Sequence, residues 1–540
     1  MGSPLHSRSN ALASIPSIGC DASASKRTVS RCTACHDTSS HAMARPDATR
    51  EGEDGVHAHA QGRSERPGDA MNTELWKLNA TELGTAVAHG EISAAEVMES
   101  HLERIAAVNP AVNAVTQLMA DSAREAARTS DRRRAAGEQL GPLAGVPFTV
   151  KENIHVAGWA TTHGVRKFRD HVAEADSPPV RRLRAAGAIP IGHTNMPDLA
   201  ISSDPASQLY GRTYNPWDRS KTPGASSSGD GVAVAVGMAA LGLGNDSGGS
   251  VRMPAAFNGV AALKPSYGRF AADHRIMGQE PMLASQLIPV DGPLARSVAD
   301  LRAAYEALAG ADLEDPRAVP VPAYGPRPTG PLKVGIVADP AGVGVHPQIR
   351  AAIDEAATVL ERAGYAVEEV QIPRLSETLE CYGKLIMTEF GVKWPRIRKL
   401  LTEKGAQHLD LFMERTPHTE LAEFLGQTGA RLGIQRDWAK FLDTYPLLLG
   451  ATCPQPVPGA DLLPDDTDAE SHARMMLAGA LCTVTSLVGV PAVSVPTGFA
   501  DDMPQGVQLI GQMYREDRCL EAAEVIERHF GVLAPIDPRP

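Results

Sequence analysis

At 540 residues the chain can bury a large core, as one big domain or as two to four of ordinary size. Its 52 lysines and arginines against 64 acids leave a net charge of −12, which speaks against nucleic-acid binding, although a local basic patch can hide inside the total, and favours a small, uncharged substrate. Seven cysteines, an odd number without regular spacing, exclude a disulfide framework and fit a reducing, cytoplasmic setting.

Residues 1–70 are dominated by Ser, Ala, Arg, His and Gly, with few large apolar residues and no persistent period. They read as a disordered or non-native extension, Met71 being the natural first residue in the second case. No continuous apolar run suggests a secretory signal; the arginine- and serine-rich start is faintly like an organelle transit peptide. Cys32-Thr33-Ala34-Cys35-His36 matches the spacing of haem attachment, but no apolar shell surrounds it, and the match is assigned to chance.

Ordered structure is expected from Asn79. Ser93-Ala94-Ala95-Glu96 is a capping box that opens a helix with Val97, Met98, Leu102 and Ile105 on its apolar face. A second helix is expected over Val115 to Arg133. After Gly141-Pro142, the apolar run Leu143 to Lys151 predicts a buried strand ending at the lysine. Pro179 to Ala186 predicts a helix and Ala188 to Gly192 the next strand, an alternation that argues for an α/β fold around a sheet. The proline-rich stretch Asp315 to Pro331 is either a domain boundary or a surface loop. Beyond it come a strand, Leu332 to Val337, a helix, Pro347 to Ala363, closed by Gly364, and a strand, Tyr365 to Ile372. Residues 375–470 read mostly as helices and loops with no catalytic signature. Met475 to Ala500 carries no charge and is long enough to span a membrane. Its Thr483, Thr485, Ser486, Gly489, Pro491, Ser494 and Pro496 make it instead a buried helix running into a buried strand.

The chemistry concentrates in two serine-glycine clusters, Gly224-Ala225-Ser226-Ser227-Ser228-Gly229 and Asp246-Ser247-Gly248-Gly249-Ser250-Val251-Arg252, both downstream of Lys151. Attack on an amide carbonyl needs a hydroxyl, a base to take its proton, and donors aimed at the oxyanion. Ser250 can supply the hydroxyl, and the N–H groups of Ser247, Gly248, Gly249 and Ser250 lie where two glycines permit a donor-presenting turn. Losing one such donor typically costs ~3 to 4 kcal/mol of transition-state stabilisation. No histidine lies in either cluster and no GxSxG elbow surrounds Ser250. Lys151 is the substitute base, provided that burial brings its pKa far below the ordinary value of about 10.4. His155, His163 and His193 fall near this region and are assigned to structure, and Cys381, Cys453, Cys482 and Cys519 are read as packed thiols. Gly242-Leu243-Gly244 is not a phosphate loop, since no Gly-Lys-Ser/Thr follows.

In order along the chain, Lys151, Thr222 to Gly229, Gly244 to Arg252, Leu263 to Arg269, Gly489-Val490-Pro491-Ala492 and Pro504 to Leu509 together resemble the amidase signature family, over roughly residues 75 to 530. The resemblance implies a single α/β domain over residues 71–540, a mixed β-sheet core covered by helices, with a catalytic core at about 140–270. It implies a Ser-Ser-Lys triad in which Ser250 is the nucleophile, Ser226 the bridging serine after a cis peptide bond, and Lys151 the general base. Ser247, Gly248, Gly249 and Ser250 would form the oxyanion hole, and Asp246 and Arg252 would brace the nucleophile loop. No metal or cofactor is implied. The chain departs from the usual pattern in Ala225 and Ser228, where glycines are common, and in Glu152, where an aspartate is common.

The expectation is a cytoplasmic amidase that cleaves a small-molecule carboxylic amide to acid and ammonia or amine through an acyl-enzyme. No nucleic-acid or membrane partner is expected, and a homodimer is compatible with it. Two alternatives stand beside it: the glutaminase subunit of a tRNA-dependent amidotransferase, and a non-catalytic binding protein with the same fold. Nothing in the sequence selects the amide.

Overall fold

The computed structural model describes residues 74–539; the expected extension over residues 1–70, with Cys32 to His36 inside it, lies outside the described residues. Short apolar runs become strands: β1 (Val115–Leu118), β2 (Pro147–Lys151), β3 (Ile189–Thr194), β4 (Ala206–Ser207), β5 (Gly211–Arg212), β6 (Leu241–Asp246), β7 (Ala261–Lys264), β8 (Val290–Ala295), β9 (Lys333–Ile336), β10 (Ala366–Glu369), β11 (Leu447–Ala451), β12 (Ala492–Ala500) and β13 (Met503–Gly511). Strands β4 and β5 pair only with each other. The other eleven form one mixed sheet in the order β1-β3-β2-β6-β8-β7-β12-β13-β11-β9-β10. Helices cover it, as the expected α/β architecture requires.

The central strands are buried along their whole length, β2, β6, β8, β11 and β13 without an exposed residue, which is why they read as continuous apolar or small-residue runs and not as alternations. Strands on both sides of the Asp315–Pro331 stretch share the sheet, so that stretch is a loop within it.

The helix at Ala94–Val112 begins with the expected capping box, Ser93 Oγ accepting from Glu96 N and Glu96 accepting from Ser93 N, and it buries Val97, Met98, Leu102 and Ile105. The helix expected over Val115 to Arg133 is corrected: Val115–Leu118 is strand β1 and the helix is Ala120–Ala135. Asn113 takes a left-handed conformation at φ 51° and ends the previous helix, and Asn109 Oδ1 accepts from Ala114 N and Val115 N. The β-branched Val115 then pairs with Thr194 of β3. The strand expected from Leu143 starts at Pro147, because residues 143–146 form a turn. Residues 375–470, read as helices and loops, also contain β11, whose five residues are too few for a period to register. The uncharged run from Met475 divides into the end of one helix, a second helix, Ala480–Val488, and strand β12. Among the described residues no helix is long and apolar enough to cross a membrane.

Leu509 of β13 sits between Val493 and Leu449 on its two neighbouring strands and is fully buried. Leu509→Ala is expected to lower unfolding free energy by ~2–5 kcal/mol, read as a lower urea midpoint at unchanged slope.

Candidate active site

Strands β2 and β6 run parallel, Val150 opposite Leu243, so their carboxyl ends open at the same edge of the sheet. That is where open α/β sheets bind ligands. Lys151 ends β2, and Asn245 and Asp246 end β6. Fully buried Lys151 has its Nζ 2.8 Å from Ser226 Oγ and 2.7 Å from Asn245 Oδ1. Asn245 is oriented in turn by its Nδ2, which donates to Asn153 Oδ1 at 2.9 Å. All these partners are neutral. Burial therefore pushes the Lys151 pKa down from the ammonium range toward neutrality, only partly opposed by the charges of Asp230, Asp246 and Asp291. Burial likewise pushes the Asp230 carboxyl up; Thr149 Oγ1 donates to it at 3.0 Å.

Ser226 is delivered by a turn that only glycine can start: Gly224 has φ 76°, and a Cβ there would stand 2.9 Å from Pro254 N. The Ala225–Ser226 peptide is cis. Ser227 N donates to Ser250 O at 3.0 Å, which stitches the two serine clusters together.

The turn carrying Ser250 is wound around a buried carboxylate. Asp246 Oδ1 accepts from Gly249 N at 2.8 Å, and Asp246 Oδ2 from Val251 N at 3.2 Å. Gly249, at φ 116°, takes a conformation closed to residues with a Cβ. Arg252 forks onto the same carboxylate, Nη2 at 2.8 Å and Nε at 3.0 Å, and both side chains are fully buried. Its remaining donors go to Thr485 Oγ1, Gln508 Oε1, Ser486 Oγ and Cys482 O. Burial works against the Asp246 charge, but the Arg252 guanidinium and the backbone donors overcome it and hold the carboxyl below its usual range. Because Gly249 N–H is directed into Asp246, the donors of the run that remain for a ligand are those of Ser247, Gly248 and Ser250.

Ala225, Asn245 and Ser247 to Ser250 form one wall of a cavity of about 910 Å³, with Lys151 and Ser226 behind that wall. Much of the rest is apolar, including Met253, Phe257, Ile386, Phe390 and Phe412. Of the three histidines, His163 faces the cavity; burial, with His155, His171 and Lys151 adding to it, lowers its pKa to about 3 and keeps it neutral. His193 contacts Val150 O and His155 contacts Thr161 Oγ1, both structural placements. Glu152 is buried and accepts from Thr116, Gln117 and Thr162, tying β1 and the 160–163 turn to the end of β2. Cys381, Cys453, Cys482 and Cys519 are buried free thiols, and burial raises the pKa of each. Among the described residues no group of three or more His, Cys, Asp or Glu is placed to hold a metal ion.

Asn245 carries no signal of its own in the sequence, although it stands inside the Gly244 to Arg252 motif. Thr485 and Ser486 read there only as polar interruptions of an apolar stretch. Their polarity in an uncharged helix is the available signal, since such groups need buried partners.

The model of the amidase family matches residues 96–520. An indoleacetamide hydrolase of Bradyrhizobium diazoefficiens is 39% identical over 85% of this chain and 88% of its own length. The A-type subunit of the glutamyl-tRNA(Gln) amidotransferase of Symbiobacterium thermophilum is 35% identical over 83% of this chain and 95% of its own. Among solved structures, a 6-aminohexanoate cyclic dimer hydrolase in complex with its substrate superposes with a TM-score of 0.74 at 26% identity, covering 86% of this chain and 99% of that one.

Arg252→Met leaves the Asp246 carboxylate buried without its cation. It is expected to cost ~3–5 kcal/mol in denaturant unfolding, because an unpaired buried charge retains its full desolvation penalty.

Proposed function

The chain belongs to the amidase family and is an amide hydrolase, and we propose that Ser250 is its nucleophile, Ser226 the bridging serine and Lys151 the general base. The observation that carries this assignment is the contact of Lys151 Nζ, fully buried and with only neutral partners, with Ser226 Oγ at 2.8 Å. A neutral amine has two protons and one lone pair. One N–H donates to Asn245 Oδ1, and at 2.8 Å from Ser226 Oγ the amine is within reach of that hydroxyl's proton once its lone pair turns toward it. Asn245 thereby orients the base, as the third member of a triad does elsewhere.

In the acylation step the Ser250 hydroxyl oxygen bonds to the amide carbonyl carbon. Its proton passes to Ser226 Oγ, whose own proton moves to Lys151 Nζ. The carbonyl oxygen, now anionic, receives N–H groups of the Ser247–Ser250 turn. Collapse breaks the C–N bond, and Lys151 returns its proton through Ser226 to the leaving nitrogen. Water repeats the sequence on the ester, releases the acid and restores Ser250. Asp246 and Arg252 do not touch the reacting atoms; they hold the turn that aims them.

Small amides are the substrate class. Glutaminase action within a multi-subunit amidotransferase is a second reading, supported by the likeness to the glutamyl-tRNA(Gln) amidotransferase component. The apolar walls of the cavity favour a substrate less polar than glutamine.

Ser250→Ala and Lys151→Ala are each expected to lower kcat/KM for amide hydrolysis by roughly 10²–10⁴ or more while the circular dichroism spectrum stays native. A serine-directed fluorophosphonate is expected to label Ser250 alone by peptide mapping; turnover surviving in either variant rejects the assignment. The lowered Lys151 pKa sets the pH profile: the base is active when deprotonated, so kcat/KM rises with pH along an acid limb near neutrality, well below the free-lysine value of about 10.4. A limb near that free value would show a solvated, protonated Lys151.

A further inference from the structure

The helix Leu375–Ile397 measures the cavity. Two turns into it, the helix passes the Ser250 turn: Tyr382 Oη lies so close to Gly248 that a Cβ there would stand 3.0 Å from it. From Tyr382 onward, the cavity-lining residues Ile386, Phe390, Lys393 and Arg396 recur at three- and four-residue spacings, so one face of the helix runs along the chamber. At 1.5 Å per residue, Lys393 and Arg396 lie roughly 16 and 21 Å from Tyr382 along the axis. Along this face a hydroxyl beside the Ser250 turn is followed by apolar Ile386 and Phe390, with the Glu389 carboxylate between them in sequence, and then by two cations.

Those cations differ from their neighbours. Arg398, just beyond them, pairs with Asp410 and Glu403, whereas Lys393 and Arg396 have no carboxylate at ion-pair distance among the described residues. Lys167 and Arg474 line the same cavity and are likewise free of such partners among the described residues. Two carboxylates also line it. Glu389 is buried and already accepts from Ala284 N and from Ser285 N and Oγ, leaving Glu280 against four cations. The chain as a whole is acidic, so four cations lining one cavity are a local feature against the net charge of −12.

We propose that the cavity takes an amide with an elongated apolar body whose far end carries an anion, held by Lys393 and Arg396. The proposal rests on the assignment of Ser250 as the nucleophile. The carbonyl sits at the Ser247–Ser250 turn, the apolar body lies along Ile386 and Phe390, and the anion meets the exposed Lys393 and Arg396. Hydrolysis adds one water across the C–N bond and leaves the distal anion unchanged.

The test compares a dodecanoyl primary amide whose far end is a carboxylate with its twin ending in a hydroxyl, and a hexanoyl pair built the same way, by ammonia release. The wild-type enzyme is expected to favour the long carboxylate amide over its twin by roughly tenfold in kcat/KM, the scale of two partly exposed ion pairs. That ratio is expected to fall to about one in the Lys393→Met/Arg396→Met variant and to shrink as salt is raised. The hexanoyl pair is expected to show no preference, since its carboxylate stops in the apolar stretch. Equal kcat/KM for the two long amides in the wild type, or a preference that survives in the double variant, overturns the proposal. Fluorophosphonate labelling separates the two levels. If Ser250 labels and neither long amide is turned over, this inference alone fails; if Ser250 neither labels nor supports hydrolysis of any of the four amides, the proposed function fails with it.

Discussion

A buried lysine with no carboxylate in contact among the described residues is the constraint around which this site is arranged. An ammonium ion inside the protein would carry a desolvation penalty of several kcal/mol. Lys151 is enclosed at the end of β2 by a serine hydroxyl and an asparagine carbonyl, neither of which compensates a full charge. The neutral amine is the form this environment favours, and a neutral amine is a base. The sheet enforces the placement: β2 and β6 run parallel, so the chain must bring Lys151 and Asn245 to one edge whenever the strands pair in register.

The opposite electrostatic solution stands a few residues away. Asp246 and Arg252 are also fully buried, yet both remain charged because each finds a partner of opposite sign and further donors or acceptors. A buried pair is weak evidence for stability, since two apolar residues could fill the same space. What it supplies here is direction. It draws Gly249 N–H and Val251 N–H inward and turns the Ser247, Gly248 and Ser250 segment toward the cavity. The guanidinium also reaches Thr485, Ser486 and Gln508, so the Ser250 turn is tied to elements more than two hundred residues further along the chain. Two buried ionisable sites, one favouring the neutral form and one kept charged, thus stand side by side at this edge of the sheet.

Beyond the two serine clusters, the cavity draws on chain both before them, at His163, Phe168 and Leu199, and after them. The Leu375–Ile397 helix and the Glu403–Arg415 helix contribute its apolar walls through Ile386, Phe390 and Phe412. These two helices come from a stretch of sequence separate from the Ser247–Ser250 turn. The walls can change while the motif segments stay as they are, which is how one reaction serves many amides.

Local pattern carries much of this molecule. The capping box at Ser93 to Glu96, the strand ending at Lys151 and the helix after Ser177 are legible because their signals lie within a few residues of the structure they produce. So are the two glycine-bearing turns, since only glycine fits at Gly224 and Gly249. Strand β1 reads as helix from its sequence because Val115 to Leu118 has no period of its own; its conformation comes from the edge of β3 and from Asn109. Strand β11 escapes for the same reason, its partners β9 and β13 being distant in the chain. Sequence determined the reaction type through its likeness to the amidase family, whose motifs at Lys151, Thr222 to Gly229 and Gly244 to Arg252 follow one another along the chain. Only the tertiary structure decided that Asn245 meets Lys151, that Gly249 N–H is taken by Asp246, and that Lys393 and Arg396 line the same cavity as the Ser250 turn. Each depends on how folded segments pack or turn in space, and no local pattern encodes it.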